Sequence, residues 1–356
     1  MLGRGIDQIL PNPGDDRIYE SYMTSASDYV RLAEKASGKI PRGVGLGYVW
    51  GDAAEVLAQS RPDFGLVNLE TAVTDCGRPE PKGINYRMST ANAESLSQLG
   101  IGCCALANNH VLDWGPDGLN QTIATLHHLG IATAGAGRDL QAAARPAILQ
   151  SAGQRLLVFA FATGDSGVPR GWEATSSTPG IHRLAGLDSK SLATIRRLVA
   201  QYKKRGDIAV ASIHWGDNWG YKVAETHQFF ARGLIDVAGI DLVHGHSSHH
   251  PKGWEIHNGN LILYGCGDLI NDYEGIAGVE KYRSDIVAIY LADIDPATDA
   301  RLTALSIVPM HIRNFRLSRA SDEELQWLCR VLNLHGAANG ARLAASSRGT
   351  IDLVWD

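Results

Sequence analysis

Residues 207–217, DIAVASIHWGD, hold a short apolar run that stops abruptly at His214, Trp215, Gly216 and Asp217. Such a run, flanked by Gly206 and Gly216, reads as a β-strand from Asp207 to Ile213 whose end carries chemistry. The pattern recurs. Phe64 to Asn68 runs into Leu69 and Glu70, and Ile101 to Ala107 into Asn108, Asn109 and His110. Ile240 to Val243 runs into His244, Gly245, His246, Ser247, Ser248, His249 and His250. Further strands are predicted at Ile131–Ala134, Arg155–Ala162, Leu261–Tyr264 and Ile286–Ala292. In open α/β sheets ligands bind outside the carboxyl ends of strands. Four strands ending in metal-binding or proton-moving residues therefore predict one shared site.

Helical periods alternate with these runs. Leu119, Ile123 and Leu126 precede a stop at Gly130, and Leu192, Ile195, Val199 and Tyr202 precede Gly206. Ser321 and Glu324 form a capping box opening a helix through Trp327, Leu328 and Leu332. Strand–helix alternation predicts an α/β sheet with helices on its faces. Asn258-Gly259 between Trp254–His257 and Leu261–Tyr264 is a hairpin signal, so the sheet turns antiparallel there. The Gly-, Ser-, Thr- and Pro-rich stretch Thr163 to Gly180 reads as a long loop inside one domain. The expected organisation is a main domain over 1–315, with 316–356 a helical and strand extension packed on it.

Composition narrows the function classes. The 356 residues carry a formal charge of -5, with no basic surplus for a phosphate backbone, so nucleic acid is excluded as a partner. No apolar run reaches the ~18 residues of a membrane span, and residues 1–16 lack a signal-peptide core. The five cysteines include no CxxC pair and read as reduced, buried thiols of a soluble cytoplasmic protein.

Five of the thirteen histidines fall within residues 244–257. Together with Glu70, Asn109, His110, His214 and His246 at strand ends, they predict a centre of oxygen and imidazole ligands. Such a set suits a divalent metal: Mn, Fe, Zn, Mg or Ca. Competing motifs fail. Gly135-Ala136-Gly137 lacks the third glycine of a dinucleotide loop, and Gly245-His246-Ser247-Ser248-His249 lacks the closing glycine of a nucleophile elbow.

The segments NLET, YRM, LANNHVLDWG, TAGAGRDL, IHWGDNWGY, LIDVAGIDLVHGHSSHHPKG and LILYGCGDLINDYEGI, in this order, resemble the CapA family, named for poly-γ-glutamate capsule synthesis. That family resembles the calcineurin-like metallophosphoesterases, and the resemblance implies two packed mixed β-sheets flanked by helices in four layers, αββα. It also implies that Asn109 ligates metal while His110 acts as acid over the substrate. Glu70 takes the place of the bridging carboxylate, His214 of the isolated histidine ligand, and His246 of the first histidine in Gly-His-x-His. The chain departs from the pattern in having Glu for Asp at 70 and a second serine that displaces His249. Met1-Leu2-Gly3-Arg4-Gly5 is similar to the middle of a motif whose aspartate stands upstream. The expectation is either a start upstream of Met1 or a chain that binds metal weakly and folds poorly.

The implied function is a metal-dependent enzyme acting on a peptide or poly-glutamyl substrate by His/Asp acid–base chemistry. One form is epimerisation of a peptide C-terminal residue, as in CapA-like proteins that accompany lasso peptides. The alternatives are a capsule synthesis or export protein without phosphatase activity, a metallophosphoesterase-type hydrolase and a binding module that keeps only the fold. The proton work is assigned to His110 and to His246 or His249, with Asp113 or Asp217 as the orienting carboxylate. Substrate contacts are expected from Lys82, Tyr86, Arg87, Trp215, Asp272, Tyr273, Glu274 and Arg283, with Trp114 and Trp219 nearby.

Overall fold

A computed structural model describes residues 1–336 and 340–355. The DIAVASIH run becomes the strand Ile208–His214, every residue of it buried. It lies at the middle of a mixed six-stranded sheet. The order is Trp254–His257, Asn260–Leu263, Leu242–His246, Ile208–His214, Gln154–Ala162 and Ala147–Ser151. The four inner strands are mutually parallel and the two outer ones antiparallel to their neighbours. The expected Asn-Gly hairpin is present, with Asn258 and Gly259 at φ 51 and 83. Both central positions are left-handed, which suits the strand twist.

Alternation along the strands divides the core. Leu157, Phe159, Phe161, Ala209, Ala211 and Ile213 face the helices Ser189–Tyr202 and Glu225–Asp236 through Leu192, Ile195, Val199, Phe230 and Leu234. Leu156, Val158, Ala160 and Val210 face the other way, into a core shared with two further sheets. One is a parallel sheet of Leu66–Asn68, Cys103–Ala105 and Ala132–Ala134. The other is antiparallel: Ile286–Asp295, Arg301–Arg313, Ile351–Trp355 and Ala341–Ala345, with Arg316–Arg319 also paired to Arg301–Arg313. The protein is thus mixed α/β, with several sheets flanked by helices. The long strand Arg301–Arg313 escaped the sequence reading because Thr303, Ser306, Pro309 and His311 break its apolar run.

The helices at Gly115–His128 and Ser189–Tyr202 lie where their periodicity puts them. The capping box at Ser321 and Glu324 opens the helix Asp322–His335. Thr163 to Gly180 is a loop with two short 3-10 turns, Gly164–Ser166 and Arg170–Trp172. A boundary at 315 falls in the turn joining Arg301–Arg313 to Arg316–Arg319, and strands beyond it pair with strands before it. All five cysteines are free, but Cys76 is exposed and Cys266 half-buried, so the expectation of uniformly buried thiols is corrected. No helix among the described residues is long and apolar enough to cross a membrane.

Glu274, expected to meet substrate, instead caps this fold. It accepts from the amides of Asn314 at 2.8 Å and Phe315 at 2.7 Å. Those two residues turn the chain with φ 56 and 53, a left-handed pair without glycine. Replacing Glu274 by Ala leaves both amides without their charged acceptor. We expect a loss of about 2 kcal/mol by chemical denaturation, since bonds to charged groups contribute ~1.5–3 kcal/mol. A change within experimental error would show that the turn holds itself.

Candidate functional site

Strand register builds the site. His214 ends its strand opposite Ala162 on one side and His246 on the other. Asn68, two residues before Glu70, pairs with Ala105 just before the Asn108–His110 turn. Side chains from both layers therefore emerge at one end of the molecule.

A hydrogen-bond chain orients His214. Ser212 Oγ lies 2.9 Å from His246 Nε2, and His246 Nδ1 lies 2.9 Å from His214 Nδ1. That leaves His214 Nε2 buried without a hydrogen-bond partner among the described residues, 4.0 Å from Glu70 Oε1. Asn109 Oδ1 is a second buried polar atom without a partner among the described residues. Asn68 Nδ2 donates to Glu70 Oε2 at 3.0 Å and steadies that carboxyl. Burial favours the neutral form of every group here. It drives His110, His214 and His246 well below the usual histidine range and raises Glu70 to about 7.

These residues fit a divalent cation. Neutral imidazole is the ligating form, and a buried nitrogen and oxygen without partners are costly unless something occupies them. Glu70, Asn109 and His214 are the residues that would hold the ion. His246 was expected beside them as a ligand, but both its ring nitrogens are engaged, by His214 and Ser212. Its contacts make it the support that sets the orientation of His214.

Two His–Asp pairs flank these groups. His110 Nδ1 lies 2.7 Å from Asp113 Oδ2, and Lys82 Nζ reaches Asp113 Oδ1 at 2.8 Å. Tyr86 N donates to the same carboxylate at 2.6 Å, and its ring meets His110 edge-on at 4.3 Å. Burial raises Asp113 to about 7, opposed by Lys82. In the second pair His249 Nδ1 sits 3.2 Å from both oxygens of Asp268. Burial disfavours the imidazolium of His249, but Asp268 outweighs it and raises His249 above its ordinary value. Tyr273 OH joins the two halves, 3.3 Å from His249 Nε2 and 3.1 Å from Tyr86 OH.

Glu70, Asn109, His110, Asp113, Lys82, Tyr86, His214, His249 and Tyr273 thus gather at one place, and the remaining expected residues do not. Asp217 is exposed and bonds no histidine among the described residues; Asp268 takes the place expected of it. Trp215 is buried between His227, stacked at 4.9 Å, and Tyr264, so its ring serves the core. Arg87 lies 3.9 Å over Trp114 and donates to Asp15 O, facing outward. Asp272 is bound by Arg4 at 2.8 and 2.7 Å and has no free edge. Arg283 pairs with Asp285 at 2.8 Å and Glu324 at 3.1 Å in a separate cluster with His311. Asp285, His311 and Glu324 bring their ligand atoms within 4.8 Å of one another, but the guanidinium of Arg283 already supplies the positive charge there. Asp268 and Arg4 were missed although GCGD and MLGRG contain them, because only folding reveals their partners.

Residues 1–273 match the family model described as bacterial capsule synthesis protein PGA_cap. A probable polyglutamine synthesis accessory protein of Mycobacterium tuberculosis is 43% identical over 99% of this chain and 93% of its own length. The PGA biosynthesis protein CapA of Bacillus subtilis is 27% identical over 76% of this chain and 61% of its own. The capsule biosynthesis protein CapA of Bacillus anthracis is 22% identical over 88% and 66%. With most of its length matched in this way, the chain belongs to the bacterial capsule synthesis protein family PGA_cap, the CapA family.

Proposed function

We propose that this protein is a metal-dependent acid–base enzyme acting on a peptide or poly-glutamyl substrate in capsule-type polymer synthesis. The observation that carries the reading is the pair of opposed dyads, His110–Asp113 and His249–Asp268, bridged by Tyr86 and Tyr273. Their surroundings push the two histidines apart, His110 toward the neutral base and His249 toward the protonated acid. A pair divided in this way can take a proton from one face of a carbon and return it from the other. The relatives' names, polyglutamine synthesis and PGA biosynthesis, supply the substrate class. A cation on Glu70, Asn109 and His214 would polarise a substrate oxygen when bound. Lys82, partly exposed beside His110, is placed to meet a substrate carboxylate.

The finer form we favour is proton exchange, with epimerisation, at a carbon next to a carboxyl. Purified protein loaded with manganese or zinc is incubated in heavy water with short glutamyl peptides. Deuterium on one carbon of an uncleaved product is the expected result. Cleaved products would instead assign the site to a hydrolase, and neither outcome with any divalent metal sinks the enzymatic reading.

A further inference from the structure

We propose that His227 and Asp165 form a clamp that holds the loop Thr163–Val168 against the candidate metal centre and so fixes His214 and Asn109. The clamp rests on packing, and what it serves rests on the metal reading above. It is a third His–Asp pair, and its geometry differs from the other two. His227 Nε2 meets Asp165 Oδ2 at 2.8 Å. The face of its ring is covered by Trp215, stacked at 4.9 Å with an interplanar angle of 8°. With one edge taken and one face covered, His227 is a positioning residue.

What it positions is a loop wedged between two candidate ligands. The amide of Thr163 donates to the carbonyl of His214 at 3.0 Å, and Ser166 Oγ donates to the same carbonyl at 3.1 Å. Thr163 Oγ1 also bonds Asp165, so the tether and the anchor share a residue. At the other end, a Cβ on Gly167 would lie 3.4 Å from Asn109 Nδ2. The loop therefore backs the amino side of the Asn109 amide, and the oxygen without a partner is the other side. Gly216 completes the fit. A side chain there would meet His227 Cε1 at 2.8 Å, and its φ of +70 already favours glycine.

Asp165 itself is exposed, and the loop carries two further exposed positions, Gly164 and Gly167, with exposed Pro169 just beyond it. A loop of this kind opens at low cost unless tied down. The tie comes from the first turn of the helix Glu225–Asp236, which packs on the opposite face of the six-stranded sheet from the shared core. Groups behind a ligand that fix its orientation commonly contribute ~10–100-fold to metal affinity.

The test uses the full chain and two readouts. Reaction of His214 with diethyl pyrocarbonate, followed by peptide mapping, reads the clamp without any metal. His214 is fully buried, so its modification should accelerate at least about tenfold in His227→Ala, with His311 as an unaffected internal reference. Titration with Mn²⁺ reads the centre, and the same variant should bind ~10–100-fold more weakly. His227→Gln, which keeps a donor for Asp165, should restore most of both. Unchanged His214 reactivity in a folded His227→Ala protein overturns the clamp. Accelerated His214 reactivity in His227→Ala, together with a wild-type protein that binds no Mn²⁺, upholds the clamp and removes the metal reading instead.

Discussion

His110→Ala is expected to lower turnover, or deuterium uptake in the exchange assay, by at least a hundredfold while moving the thermal midpoint by only a few degrees. General acid–base groups contribute ~10²–10⁴-fold, which sets the size of the effect. The stability side follows from what remains. Asp113 keeps Lys82 at 2.8 Å and the Tyr86 amide at 2.6 Å, so removing the imidazole leaves no unpaired buried charge. Asp113→Asn makes a stricter comparison, because it preserves shape but can reverse the tautomer of His110. A His110→Ala protein that fails to fold, or one that retains full turnover, would return His110 to a purely structural part.

Arg4→Met is expected to have the largest effect on stability. Arg4 is 3% exposed and binds Asp272 through two bonds and Glu20 at 2.9 Å. Its guanidinium also lies 3.5 Å over the ring of Tyr29. Breaking a buried ion pair from one side costs ~3–5 kcal/mol, because the charges left behind have neither water nor partner. Here two carboxylates lose their cation and keep only the Gly5 amide and the Tyr29 hydroxyl, so we expect about 4 kcal/mol or more, a large share of a domain's ~5–15 kcal/mol. Urea denaturation measures it. Adding Glu20→Gln and Asp272→Asn to Arg4→Met should recover about half of the loss, since the stranded charges are then gone. If Arg4→Met alone stays within about 1 kcal/mol of wild type, the network is not what holds this region.

The second effect of that variant concerns the site. Arg4 stands 4.8 Å from the ring of Tyr86 and 5.9 Å from that of Tyr273. These are the tyrosines linking the two dyads, so the buried network and the candidate chemistry share a wall. Residues of sequence positions 4, 86 and 272 meet there.

The sequence by itself determined the strand–helix alternation, the Asn-Gly hairpin, the capping box at Ser321 and the strand ends at Glu70, Asn109-His110, His214 and His246. Those features are local. Apolar period, turn chemistry and a polar residue after an apolar run are all decided within a few positions. What only the tertiary structure decided is which polar group meets which. His249 takes Asp268, nineteen residues on, and not Asp217. His246 turns both nitrogens to Ser212 and His214, while Arg283, Glu274 and Asp272 spend their charge on partners elsewhere in the fold. A side chain's chemical type is written in its residue, but its role depends on what else is buried with it. Burial makes each polar group find a partner, and that partner is fixed by packing across the whole chain.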